Sequence, residues 1–116
     1  MPKTLTAHDG LEIWRRALSG SVSGDGPDLT ARQMALMLTV YLTPQPHTVR
    51  GLAALLNVSK PAITRAIDRL SELDFIRRKP DDADRRSVLV QRTIRGSVYL
   101  RDFGEQIVRA AKALEG

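Results

Sequence analysis

Apolar residues along this chain recur mostly at the three- and four-residue spacing of amphipathic helices. A first helix is predicted over residues 11–20, because Leu11, Trp14 and Leu18 fall on one stripe. The stretch 19–28 that follows is rich in Gly, Ser, Asp and Pro, which indicates a flexible connection.

The second helix is predicted to lie at the centre of the fold. Thr30 and Gln33 form a capping-box signature at its start, and residues 34–42 are apolar on nearly every face. Pro44 and Pro46 end this helix, because proline cannot extend the helical hydrogen-bond ladder.

Two further helices follow at close spacing. Thr48 is placed to cap a third helix that ends at Leu56, and Ser59 is placed to cap a fourth over residues 59–73, with Pro61 in its first turn. A helix, a three-residue turn and a second helix have the dimensions that fit a DNA major groove. The apolar stripe of the fourth helix consists of Ile63, Ile67, Leu70 and Leu73, and its other faces carry Lys60, Thr64, Arg65, Asp68 and Arg69.

The alternation typical of strands appears only after this helix. Residues 75–79 and 87–91 carry β-branched and aromatic side chains around the charged tip 80–84, a pattern that predicts a β-hairpin, or wing. Thr93 is placed to cap a last helix. Its apolar residues Leu100, Phe103, Ile107, Ala110 and Leu114 are spaced 3, 4, 3 and 4, which indicates a helix–helix seam.

These elements predict a mainly α fold with a small two-stranded β-wing, a winged helix-turn-helix. A length of 116 residues favours one domain, 1–116, over two independent cores. Within it we expect an N-terminal helix at 11–20, a DNA-binding core at 30–92 and a C-terminal helix at 93–115.

The positive charge is concentrated in one segment. Between Lys60 and Arg101 there are eleven basic and six acidic residues, which accounts for the whole formal net charge of +5. Such a local positive field favours a polyanionic partner through phosphate neutralisation and counterion release.

Composition excludes several other classes of protein. The chain has no cysteine, so disulfides, thiolate metal sites and thiol catalysis are ruled out. No run of about 18 apolar residues and no secretory signal pattern is present, so we expect a cytoplasmic protein without a membrane partner.

Catalytic and metal-binding arrangements are also missing from the sequence. His8 and His47 stand alone, without a nucleophile and an orienting acid, and no phosphate-cradling glycine motif occurs. Asp81, Asp82 and Asp84 lack the remaining ligands of a calcium loop. We therefore expect no enzymatic activity, no metal and no cofactor.

Two sequence segments resemble the MarR family of multiple-antibiotic-resistance-type regulators. They are LAALLNVSKPAITRAIDR at 52–69 and DDADRRSVLVQRT at 81–93. The most specific features are the Asp-x-Arg of the wing, at Asp84 and Arg86, and a Thr-x-x-Gly helix start at Thr93 and Gly96. The resemblance extends over roughly residues 29–96.

The resemblance implies a winged helix-turn-helix homodimer that binds double-stranded DNA at pseudo-palindromic operators and acts as a repressor. The resemblance leaves open whether a small-molecule effector exists. The chain departs from the family at Asn57 and Asp74, where relatives often have glycine, although both residue types tolerate left-handed backbone. Relatives commonly carry a further C-terminal helix, so we expect a dimer that is small, differently built or weak.

The predicted DNA-binding residues lie on the fourth helix and the wing. Helix 59–73 is expected to read the major groove, with Arg65 as the first candidate for guanine, and wing 80–86 to contact the minor groove or the backbone. Asp84 and Arg86 resemble the family pair that shapes the wing loop. Ser59 is also a helix cap, and Arg69 is expected to meet phosphate or pair with Asp68 or Glu72. The full set is Ser59, Lys60, Thr64, Arg65, Arg69, Arg85 and Arg86.

A second set of residues is predicted to form the dimer contact. These residues are apolar and lie on the first and last helices: Leu11, Trp14, Leu18, Leu100, Phe103, Ile107 and Leu114. Two alternatives to a sequence-specific regulator remain open at this point. One is a winged-helix protein–protein interaction module, and the other is a nonspecific nucleic-acid-binding protein.

Overall fold

The computed structural model describes residues 4–115 of the chain. It contains five helices and one two-stranded sheet within that range. The elements are α1 (Ala7–Ser23), α2 (Ala31–Leu42), α3 (Val49–Leu56), α4 (Lys60–Glu72), β1 (Ile76–Pro80), β2 (Val88–Arg92) and α5 (Ile94–Glu115). The predicted order of elements is therefore confirmed, and each strand lies one residue later than expected.

The chain separates into two compact units. One unit comprises residues 29–99, and the other comprises residues up to 28 together with those from 100 onward. Helix α5 contributes to both units because its 22 residues run through the boundary at residue 100.

In the unit of residues 29–99, α2 is the central element. Leu36, Met37 and Val40 of this helix are fully buried, as the sequence predicts, and α4 contributes Ile63 and Ile67 to the same core. Burying such aliphatic side chains stabilises the fold by about 1.5–3 kcal/mol each. One expectation was wrong: Leu42, at the end of α2, is 75% exposed.

The sheet joins the wing to the start of the helix-turn-helix. Strand β1 pairs with β2 in antiparallel register, with Arg78 opposite Val90 and Lys79 opposite Leu89. On its other side Leu89 forms a bridge with Thr48, and the Val90 N–H donates to the His47 carbonyl at 2.8 Å. The residues that precede α3 therefore hold the wing in place.

A hydrogen-bond network fixes the base of the wing. The Tyr41 hydroxyl donates to the Phe75 carbonyl at 2.6 Å and accepts the Thr93 N–H at 2.9 Å. The Thr93 hydroxyl donates to the Asp74 carbonyl and caps α5 by accepting the Gly96 N–H. Position 96 requires glycine, because a β-carbon there would overlap the Tyr41 hydroxyl and the Phe75 carbonyl.

In the other unit, α1 packs against the C-terminal part of α5. Phe103 is 5% exposed and meets the Trp14 ring edge-on at 5.9 Å, while Ala17 and Ala110 are also buried. Helix α1 is longer than predicted at both ends. A capping box between Thr6 and Asp9 starts it, and residues 19–23, expected to form a connection, continue it.

A small ion-pair cluster lies on the surface of α1. Arg15 and Arg16 both donate to the Glu12 carboxylate. These hydrogen bonds lower the pKa of Glu12 to about 2, and the hydrogen bond to Glu12 raises the pKa of Arg15. Within the range described, no helix is both long and apolar enough to cross a lipid bilayer.

Candidate nucleic-acid interface

Helices α3 and α4 form the helix-turn-helix that the sequence predicts. Thr48 caps α3 by accepting the Gly51 N–H at 2.9 Å, and Ser59 caps α4 by accepting the Ala62 N–H at 3.3 Å. Asn57 has φ of 53°, which confirms that it takes the left-handed conformation often given to glycine. The Val58 N–H then donates to the Ala53 carbonyl at 3.0 Å and closes the turn.

Helix α4 has one face in the core and one face in solvent. Ile63, Ile67 and Leu70 are completely buried, so rotation of the helix would expose them and is strongly disfavoured. Lys60 and Arg65 are exposed, and Thr64 between them is half-buried. Neither the Lys60 nor the Arg65 side chain makes a hydrogen bond or ion pair with any residue in the range 4–115. Both charges are free to meet an external ligand.

The two other charged residues of this face are paired. Arg69 lies 3.5 Å from the Glu72 carboxylate, which was one of the expected pairings. Asp68 accepts a hydrogen bond of 2.6 Å from Arg78 of β1 instead of pairing with Arg69. Arg78 therefore connects the exposed face of α4 to the wing.

Two aspartates shape the wing tip. The Asp81 carboxylate accepts the Ala83 N–H at 3.0 Å, and the Asp84 carboxylate accepts the Arg86 N–H at 3.0 Å. Asp84 thus holds the loop through the backbone of Arg86, and the Arg86 side chain is left free. Arg85 and Arg86 are both exposed. No group of histidines and carboxylates among the described residues could hold a metal ion.

A concave surface of about 500 Å³ lies among α3, the start of α4 and the wing. We call it the basic cavity and define it by its hydroxyl-bearing and cationic lining residues, Thr48, Arg50, Lys60, Thr64, Arg78, Arg86 and Ser87. Asp84 also lines it, and one oxygen of its carboxylate accepts the Arg86 N–H. Four cations against one carboxylate leave the cavity with a surplus of positive charge.

Sequence reasoning missed Arg50 and Arg78 as members of this site. For Arg78 a signal was available, because the two-residue period of a strand places it on the same face as the buried Ile76. For Arg50 the only signal was its position in the first turn of α3, close in sequence to Thr48.

Neither of the two histidines, which the sequence shows standing alone, lines the basic cavity. His8 is exposed in the first turn of α1. The Nε2 atom of His47 lies 3.1 Å from the Thr43 hydroxyl and 3.2 Å from the Thr43 carbonyl. These contacts hold the loop before α3, and no nucleophile and acid complete a catalytic arrangement with it in the described chain.

A helix-turn-helix with a cationic face, followed by a two-stranded wing with exposed arginines, defines the winged helix-turn-helix class of DNA-binding proteins. The sequence profile of the MarR family matches residues 29–88. The chain therefore belongs to the MarR family. It is a transcriptional regulator that binds DNA, and it is not an enzyme.

Solved structures share the fold over nearly the whole chain. The transcriptional regulator Tm0710 from Thermotoga maritima is 23% identical with a TM-score of 0.66, and the alignment covers 92% of this chain and 67% of that one. A mutant of MepR from S. aureus is 18% identical with a TM-score of 0.74, covering 96% and 83%. The transcriptional regulator BldR from Sulfolobus solfataricus is 23% identical with a TM-score of 0.66, covering 92% and 73%. No curated protein matches the chain significantly in sequence.

Proposed function

We propose that the chain is a sequence-specific repressor that reads the major groove of double-stranded DNA with α4. The observation that supports this most directly is the state of Lys60 and Arg65, which are exposed and unpaired on a helix whose opposite face is fixed in the core. Arg65 carries the donors that bind guanine O6 and N7, and Lys60 and Thr64 lie on the same leading turns.

The remaining candidate residues contact the DNA backbone or the minor groove. Ser59 caps α4 and presents a hydroxyl toward a neighbouring phosphate, and Arg69 reaches phosphate from the pair that it forms with Glu72. In the wing, Arg85 enters the minor groove while Arg86 faces the backbone. A repressor role follows from operator occupancy, which blocks polymerase. A chromosomal ligand implies that the protein acts in the cytoplasm.

A homodimer would place two copies of α4 on the halves of a pseudo-palindromic operator. Leu11, Trp14, Leu18 and Val22 are 69%, 44%, 39% and 64% exposed on α1. At 3.6 residues per turn they fall within an arc of about 80°, so they form a continuous apolar stripe. An exposed stripe of this kind favours association with a second copy.

The other predicted dimer residues, which lie on α5, are less exposed than the α1 stripe. Leu100, Ile107 and Leu114 are half-buried and can extend the stripe. Phe103 is buried and packs against the ring of Trp14, a residue of the stripe. Val108, which was not predicted as a dimer residue, is a further exposed apolar side chain of α5, at 50%.

Arg65→Ala tests the reading of bases. Selection of bound fragments from random duplex DNA first provides the preferred site. On that site the variant should lose about 1–3 kcal/mol of binding free energy and should tolerate base changes that the wild type rejects. Arg32→Ala is the matched control, because Arg32 is exposed on α2 and has no partner in the described chain.

Two results would reject the proposal. If Arg65→Ala lost equal affinity for preferred and random duplexes, Arg65 would contact phosphate and not bases. If the wild type bound duplexes without sequence preference and without a steep salt dependence, the fold would serve as a protein-interaction module instead.

A further inference from the structure

The basic cavity is lined by four cations and one carboxylate, that of Asp84, so positive charge is in excess. Arg50, Lys60 and Arg86 make no side-chain hydrogen bond or ion pair within residues 4–115. Only Arg78 is held, by the Asp68 carboxylate at 2.6 Å. Like charges that converge on one concave surface repel one another, so binding of an anion there relieves the repulsion.

The position of the cavity indicates which anion binds. Lys60 belongs both to the cavity and to the leading turn of α4, the helix proposed to enter the major groove. Arg86 belongs both to the cavity and to the wing tip. A duplex that contacts α4 and the wing together must carry its sugar–phosphate backbone past the cavity. The surface is open to solvent, so a phosphate can enter while it stays attached to its neighbours.

Asp68 opposes this binding. Its side chain is 54% exposed, and that of Arg78 is 35% exposed, so their ion pair is screened by water and is weak enough to exchange. The guanidinium of Arg78 can give its donors either to Asp68 or to a phosphate in the cavity. By holding Arg78, Asp68 withdraws one of the four cations from the cavity.

We infer that the basic cavity binds one backbone phosphate of duplex DNA, and that Asp68 weakens this binding by competing with the phosphate for Arg78. The inference rests on the proposed function, because it requires α4 to lie against DNA. In this interpretation Asp68 limits the affinity for every DNA duplex. Arg65, in contrast, discriminates between duplexes of different sequence.

Asp68→Asn tests the competition. The amide cannot hold the guanidinium as an ion pair, so Arg78 becomes available to the phosphate. Each phosphate contact adds about 0.9 to the slope of log affinity against log salt. Between roughly 50 and 200 mM salt the variant should therefore lose about 3.5-fold more affinity than the wild type does. At low salt it should bind preferred and random duplexes more tightly by a similar factor.

Two further variants separate the release of Arg78 from a simple gain of charge. Asp25→Asn makes the same charge change on an exposed residue outside the unit of residues 29–99. Arg78→Met keeps the aliphatic stem and removes every donor. The gain of Asp68→Asn should be absent in Asp25→Asn and should disappear in the double variant with Arg78→Met.

The measurement is fluorescence anisotropy of a labelled duplex with the full chain, over a salt series, after circular dichroism has shown that each variant is folded. An equal effect of Asp25→Asn, or a gain that persists in the Arg78→Met background, would overturn the inference. Saturable binding of inorganic phosphate to the DNA-free protein, lost in Arg78→Met and unaffected by duplex, would assign the cavity to a free phosphorylated ligand and also overturn it. If the wild type bound no duplex at all, the proposed function would fail instead.

Discussion

Gly96→Ala should destabilise the unit of residues 29–99 by acting on the base of the wing. The new methyl group would overlap the Tyr41 hydroxyl and the Phe75 carbonyl, so one of these groups must move. Overpacking of this kind costs about 1–3 kcal/mol. If the hydroxyl moves, the Thr93 N–H and the Phe75 carbonyl each lose a hydrogen bond worth about 0.5–1.5 kcal/mol.

These contributions are partly offset by the better helix propensity of alanine, about 1 kcal/mol at an interior position. The expected net loss is about 1–5 kcal/mol in the free energy of unfolding. With a urea dependence of about 2 kcal/mol per M, the midpoint should fall by roughly 0.5–2.5 M. Far-UV circular dichroism in a urea titration measures this shift.

Gly104→Ala is the matched control on the same helix. A β-carbon at position 104 meets no atom within 4 Å, so alanine there should stabilise the chain by up to about 1 kcal/mol. If both substitutions shifted the midpoint in the same direction by similar amounts, close packing at the wing base could not be the reason that position 96 needs glycine.

A double-mutant cycle with Tyr41→Phe tests whether the Tyr41 hydroxyl is the group with which the new methyl group collides. The phenylalanine lacks the hydroxyl that is nearest to the new methyl group, so Gly96→Ala should cost less in that background than in the wild type. Strict additivity of the two substitutions would contradict the assignment of Tyr41 as the main contact.

Two other substitutions test separate features. Asp74 has φ of 58°, so Asp74→Gly should raise the free energy of unfolding by about 0.5–1 kcal/mol, whereas Asp74→Val should lower it, since a β-branched residue is strained there. A urea titration that showed both variants to be destabilised would reject backbone strain as the controlling factor. Leu18→Glu puts a charge within the apolar stripe of α1 and should convert dimers to monomers in sedimentation velocity, and an unchanged profile would exclude that stripe from the contact.

The helix-turn-helix was predictable because its signals are local in sequence. Ser59 and Pro61 mark the start of α4, and a period of about 3.6 residues identifies its buried stripe. Asn57 and Asp74 were expected to replace glycine in left-handed positions because short polar side chains tolerate that backbone, and both φ values are positive.

The extension of α1 to Ser23 was not predictable from local propensity. Ser and Gly at positions 19–21 are weak helix formers, and together they indicate a connection. In the structure Gly20 lies against the carboxamide of Gln106, a residue 86 positions away in sequence, and a side chain at position 20 would collide with it. Tertiary packing of this kind overrides local preference and leaves little trace in the surrounding sequence.

The pairing of Asp68 with Arg78 was missed for a similar reason. Spacing along a helix identifies partners three or four residues away, such as Arg69 and Glu72. The partner of Asp68 comes from a strand that packs beside the helix, so its identity depends on how two elements meet. The charge surplus of the segment was visible in the sequence, but the cavity that collects three of its cations together with Arg50 of α3 was not.

Strand β1 has a consequence for the behaviour of the protein in solution. Its only pairing partner among the described strands is β2, so one edge of the sheet is open, and an open edge is a template for pairing with another chain. Arg77, Arg78, Lys79 and Pro80 follow one another along that edge. Two cations that have no partner in the described chain, Arg77 and Lys79, and Pro80, which has no N–H, disfavour pairing with a second edge there. Neutralising these positions to study DNA contacts would therefore also remove a protection against aggregation.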